Sequence, residues 1–129
     1  MVLRIVLIVL CLLISGAADG IRDTLMFHYH ETGFKQDNMF WNPDISWKNK
    51  WKNGDKSQGE AFPGSSTVFV WATDGWHLFQ TVMLSMWRIA ILIALSFYFK
   101  AKWWQWVLAF FVVSGIWSLG FHIMYSWVW

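Results

Sequence analysis

Apolar residues run almost unbroken over residues 2–18, about 78–99 and about 103–129, while the stretch between the first two is rich in Asn, Asp, Lys, Gly and aromatic side chains. A helix crosses the hydrocarbon core of a bilayer in roughly 20 residues, so the second and third stretches are long enough and the first barely is. Lys100-Ala101-Lys102 is too short for anything but a tight connection, which makes the last two helices an antiparallel hairpin. The only prolines, Pro43 and Pro63, fall outside the apolar stretches.

Helical periodicity extends two of these segments. The 3.6-residue pattern continues through Ile21, Leu25 and Met26 towards His30, with Gly33 as a C-terminal stop, and predicts a first helix over about 2–32. Pro63-Gly64-Ser65-Ser66 reads as a turn followed by an N-cap, which predicts a second helix over about 66–99; the third covers about 103–129. A polar linker over 33–64 separates the first two. Within it, Asp44 is positioned to cap a short helix ending at Gly54, with Trp47 and Trp51 on one face and Lys48 and Lys52 beside them, suited equally to the membrane surface and to packing on the chain's own bundle. The predicted fold is all-α: an integral membrane three-helix bundle, one membrane domain over 1–129, with long first and second helices and an interfacial helix in the linker. The opening Met1-Val2-Leu3-Arg4, its apolar run and Ser15-Gly16-Ala17 also fit a signal peptide; a retained anchor is the expectation.

Each long helix carries a polar line at helical spacing. These are Ser15, Asp19, Asp23 and His30; Asp74, His77, Thr81, Ser85 and Arg88; and Ser114, Ser118 and His122, with Tyr125 close by. Lipid tails do not solvate such groups, so the lines are expected to face protein or a watery cavity. With up-down-up packing and a rise of about 1.5 Å per residue, Asp19 falls level with Thr81 and His122, Asp23 with His77 and Tyr125, and Arg88 with Ser114 and Cys11. Two carboxylates and two imidazoles in one layer form a candidate site for a divalent metal such as zinc, with Asp19, Asp23, His77 and His122 as ligands and Asp74 and His30 as outer candidates. The reading preferred over a metal site is that the same groups form a structural network that ties helices together. Neither Asp74-Gly75-Trp76-His77 nor the Asp19–Asp23 spacing is a diagnostic catalytic motif. Arg88 lies near the middle of the second span, where an unpaired charge costs about 2.5 to 3.5 kcal/mol, and an ion pair with Asp19 or Asp23 is expected for it.

Composition supports the bilayer. Of 129 residues, 57% are hydrophobic and only 14% charged, against about a quarter charged in an ordinary soluble domain. The 12 Trp gather at segment ends and in the linker, as aromatic belts do. A net charge of +2, without a basic stripe, gives no electrostatic footprint for nucleic acid. Cys11 is alone, so no internal disulfide forms. Residues 18–77 hold Arg22, Lys35, Lys48, Lys50, Lys52 and Lys56, against Arg4, Lys100 and Lys102 on the other side, which leans the linker towards the cytoplasm. Gly16 and Gly20 form a GxxxG, a signal for close helix approach and self-association.

The segment FWNPDISWKNKWKNGD, followed by GSSTVFVWATDGWHLFQ, resembles short, functionally uncharacterised integral membrane proteins of Bacteroidetes bacteria and related phages, over roughly residues 16–80. The resemblance implies a bacterial or phage membrane protein, here an inner-membrane one, and brings no activity, substrate or cofactor with it. The leading expectation is a non-enzymatic accessory or assembly subunit, self-associated or part of a larger membrane complex, with structural polar stripes. The alternatives are a metal-dependent membrane hydrolase using the Asp/His layer and an ion- or proton-conducting oligomer using Asp74, His77 and Arg88.

Overall fold

A computed structural model describes residues 1–32 and 39–128, with the side chains of Tyr125, Ser126 and Val128 left aside. Four α-helices, α1 (Val2–Phe27), α2 (Pro43–Ser46), α3 (Gly75–Leu95) and α4 (Trp103–Val128), are joined by short 3-10 turns, and no strand occurs among the described residues. Three of them, α1, α3 and α4 (over Trp103–Met124), are long and apolar enough to cross a membrane, with mean hydropathy of 2.3, 1.8 and 1.9 over an 18-residue stretch of each. At 26, 21 and 26 residues they measure about 39, 32 and 39 Å. The all-helical, membrane-type architecture follows from the apolar pattern.

The helix limits differ from the periodic pattern where side chains intervene. α1 ends at Phe27 and a 3-10 turn follows at Tyr29–Glu31, so the helix stops short of Gly33, which lies outside the described residues. The second long helix begins at Gly75, not at residue 66. Ser65 and Ser66 do not cap it: the Ser65 hydroxyl donates to the Lys50 carbonyl at 2.7 Å and Ser66 bonds Glu60. Asp74 caps it instead, accepting from the His77 N–H at 2.9 Å. α3 ends at Leu95, where the chain leaves the helix through a turn at Ser96–Tyr98.

The interfacial helix predicted from Asp44 to Gly54 is a single α-turn. Asn42 is its cap, accepting from the Asp44 N–H at 3.0 Å, and Pro43 occupies the first helical position, where its missing N–H costs nothing. The chain then tightens into a 3-10 turn, extends at Trp51 and takes a left-handed conformation at Asn53 (φ 51°). Trp47 and Trp51 therefore do not share one helical face.

The chain forms two compact units, Met1–Leu13 with Ser85–Trp129, and Ile14–Leu84. In the second, the buried positions along the first helix and its extension are Ser15, Ala18, Leu25 and Tyr29, with Arg22 half-buried on the same line. Steps of three and four residues keep this line on one helix face. The Ser15 hydroxyl donates to the Met83 carbonyl of α3 at 3.0 Å. Together with the Arg22–Trp76 contact below, this sets the antiparallel register of these two helices within about half a turn of the sequence-based one.

The segment from Met39 to Asp74 is tied by side chains to its own backbone. Asn49 Nδ2 donates to the Met39 and Thr73 carbonyls, both at 2.9 Å, and so links the segment's two ends. A short antiparallel bridge joins Trp51 and Glu60. Gly75 sits against the Trp41 ring, and an added Cβ would come within 2.6 Å of it.

Candidate functional site

A polar cluster with a buried carboxylate gathers around the N-terminus of α3. Asp74 is 2% exposed there, and three groups surround its carboxylate. The His77 backbone N–H donates to Oδ1, His77 Nδ1 lies 2.7 Å from Oδ2, and the Thr73 hydroxyl stands 3.2 Å from Oδ2. The i to i+3 spacing on the first helical turn places cap and imidazole on the same carboxylate. A carboxylate accepting from Nδ1 leaves Nε2 of a neutral imidazole as the proton acceptor. The Trp76 ring packs edge-on against the His77 ring at 4.9 Å. A cavity of about 200 Å³ adjoins the pair, with Met26, Ser46 and Trp47 among its walls.

Arg22 supplies the other half of the cluster. Its Nη2 stands 2.8 Å from Asp19 Oδ1 and 3.1 Å from Asp23 Oδ1, and its guanidinium lies over the Trp76 ring at 5.9 Å. The 2.8 Å contact is an ion pair without hydrogen-bond alignment, since Asp19 Oδ1 has no aligned donor. Both aspartates are half-exposed, at 46% and 56%, so these pairs contribute modestly, about 0 to 1 kcal/mol each.

The site residues predicted from the sequence are thus dispersed. Asp19 and Asp23 lie one position off the buried line of α1 and are held by Arg22; His77 is held by Asp74. His30 is exposed and stands 3.3 Å from Asp44 in a surface ion pair. His122 is exposed on α4, in the other compact unit. Among the described residues no group of three or more His, Cys, Asp or Glu side chains is gathered to hold a metal ion. Asp74, taken as an outer candidate beyond the layer of Asp19, Asp23, His77 and His122, is the buried centre of the cluster, and His77 pairs with it.

Arg88 makes no ion pair among the described residues. Its guanidinium lies over the Trp117 ring of α4 at 5.3 Å, a cation–π contact in place of the carboxylate expected for it. The Ser114 hydroxyl of the third polar line bonds its own helix, donating to the Phe110 carbonyl at 2.7 Å. Serine in an apolar helix has this local option, which no spacing argument reveals.

The residue missed by sequence reasoning is Arg22, counted there only as charge. Its signal was present in the Asp19-x-x-Arg22 spacing, which brings the two side chains together on one helix face.

Two further carboxylates organise the segment between α2 and α3. Glu60 accepts from the Ser66 hydroxyl and from the backbone N–H groups of Gly64 at 2.9 Å and Ser66 at 3.1 Å. These donors, the Ser66 hydroxyl foremost, hold its carboxyl below the usual range. Asp55 is lowered likewise, first by the Ser57 hydroxyl, then by the Ser57 N–H and the Gln58 side chain.

No family model matches the chain, and no curated protein or solved structure matches it.

Proposed function

We propose that this is a small multi-pass membrane protein that acts without catalysis, as an accessory or assembly subunit of a larger membrane complex. The observation that carries the reading is how the titratable groups are used. The carboxylates and imidazole best placed for chemistry are taken up in a helix cap and in ion pairs within the chain, while the surface left over is apolar.

α4 supports this most clearly: in its membrane-crossing stretch no residue is buried within the chain. Leu108, Phe111, Ile116, Leu119 and Met124 are all more than half exposed, on several sides of the helix. A membrane-crossing helix so little covered by its own chain has apolar surface open both to lipid and to another protein. Gly16 and Gly20 lie open, with nothing within 4 Å of an added Cβ, as close approach of a second helix requires. The likeness of residues 16–80 to Bacteroidetes and phage membrane proteins supports a bacterial inner membrane, and the lysine tally supports a cytoplasmic Met39–Asp74 segment.

The test is the assembly state in mild detergent, by light scattering and by crosslinking in the native membrane. A defined homo-oligomer or a stoichiometric complex is expected. A lone monomer that crosslinks to nothing overturns the reading.

A further inference from the structure

The acidic side chains of this protein, among the described residues, all lie between Asp19 and Asp74, in one compact unit. The other unit, Met1–Leu13 with Ser85–Trp129, contains Arg4, Arg88, Lys100 and Lys102 and not one Asp or Glu. Arg88 has the Trp117 ring. The remaining three cations stand at one end of the unit: Arg4 on the first turn of α1, and Lys100 and Lys102 in the connection between α3 and α4.

That end opens into a cavity of about 540 Å³, walled by Leu92, Ile93, Trp106, Val107 and Phe110, with Arg4 at its polar edge. Arg4 is fixed there by two contacts. Its Nη1 donates to the Ser96 carbonyl at 2.8 Å, just past the end of α3, and its guanidinium lies 5.5 Å from the Phe97 ring centre. One carbonyl uses one of five N–H donors, so most of the guanidinium fork is left for another acceptor. Tyr98 and Trp103, 84% and 78% exposed, flank the same end and mark headgroup depth.

We propose that this cavity binds one anionic phospholipid, with an acyl chain along Leu92, Ile93, Trp106 and Phe110 and the phosphate on Arg4, backed by Lys100 and Lys102. Three features select that occupant. The walls are apolar and belong to membrane-crossing helices, which suits a hydrocarbon chain. The cations have no acidic partner in their unit, which calls for an anion. A guanidinium at headgroup depth matches a phosphodiester in charge and geometry. This inference stands independently of the accessory role, because a lipid site serves a subunit and an enzyme alike.

Native mass spectrometry of the full chain tests it, in detergent with phosphatidylglycerol or phosphatidylcholine of identical acyl chains. A cation near a lipid surface favours an anion by about 1 kcal/mol, or roughly fivefold. Retention of one phosphatidylglycerol at least about fivefold over phosphatidylcholine is expected, with most of the preference lost in Arg4→Gln and partly kept in Arg4→Lys. Ile93→Phe and Val107→Phe fill the cavity from two helices and are expected to lower retention of both lipids, with helicity by circular dichroism confirming the fold. Equal retention of the two lipids overturns the proposal. So does retention that survives both filling variants while falling in Arg4→Gln, because the lipid is then adsorbed to surface charge alone.

Discussion

Replacing Asp74 by Ala removes the carboxylate that both starts α3 and holds His77. Two losses follow from the geometry. The His77 backbone N–H loses its cap acceptor at 2.9 Å, which costs about 1 kcal/mol. His77 Nδ1 loses a partner at 2.7 Å, and a polar group stranded where little water reaches costs about 1 to 3 kcal/mol. Because Asp74 is almost fully buried, solvent does not restore either bond, and a total of about 2 to 4 kcal/mol is expected. Asp74→Asn keeps an acceptor for the cap and costs less, about 1 to 2 kcal/mol. His77→Ala combined with Asp74→Ala costs less than the two separately, since they remove one shared contact. The assay is reversible unfolding in mixed micelles with added SDS, followed by far-ultraviolet circular dichroism. If Asp74→Ala shifts stability by less than about 0.5 kcal/mol, within the range of ordinary surface changes, or if Asn is as damaging as Ala, the structural role assigned to this carboxylate is refuted.

Other outcomes are equally open to measurement. Gly75→Ala forces the Trp41 ring to move, because the new Cβ meets two of its atoms at 2.6 and 2.8 Å; destabilisation of about 1 to 3 kcal/mol is expected in the same assay, and none would show that the contact is soft. Glu60 and Asp55 ionise below their ordinary values, so each stabilises the Met39–Asp74 segment above the unfolded carboxyl values of about 4 and loses that effect as pH falls through its folded value. Limited proteolysis of the segment should therefore accelerate on acidification, and Glu60→Gln, already lacking the charge, should show a flatter pH profile. Elemental analysis of purified protein is expected to find no stoichiometric zinc, unchanged in His77→Ala and His122→Ala; one equivalent lost on either change would restore the metal reading.

The long helices were legible because stretches of about 20 predominantly apolar residues leave a backbone few alternatives in lipid. The register of α1 against α3 was nearly legible for the same reason: once both cross one bilayer, equal rise per residue sets the level of Ser15 against Met83. Helix starts were not. Ser66 and Asp74 are both good caps by residue type, and the choice fell to Asp74 because Glu60, six residues upstream, captures Ser66. Nor was the polar layer. Asp19 and Ala18 differ by one position, about 100° of rotation, and the buried line takes Ala18 and Arg22's stem, turning the aspartates to the flank. Spacing identifies a helix face but not which of two adjacent faces packs. Arg88 shows a further limit, since Trp117 lies 29 residues ahead in the chain and only tertiary contact pairs them.

The central claim is that α1, α3 and α4 each cross the membrane, which is what obliges the polar groups at their ends to pair. Single cysteines from Lys56→Cys and Lys100→Cys, each in a Cys11→Ser background, report the crossing by α3 through a membrane-impermeant maleimide applied to sealed vesicles. One position should label at once and the other only after permeabilisation, because a single crossing by α3 separates them. Labelling of both in intact vesicles would place residues 56 and 100 on the same side and contradict the account.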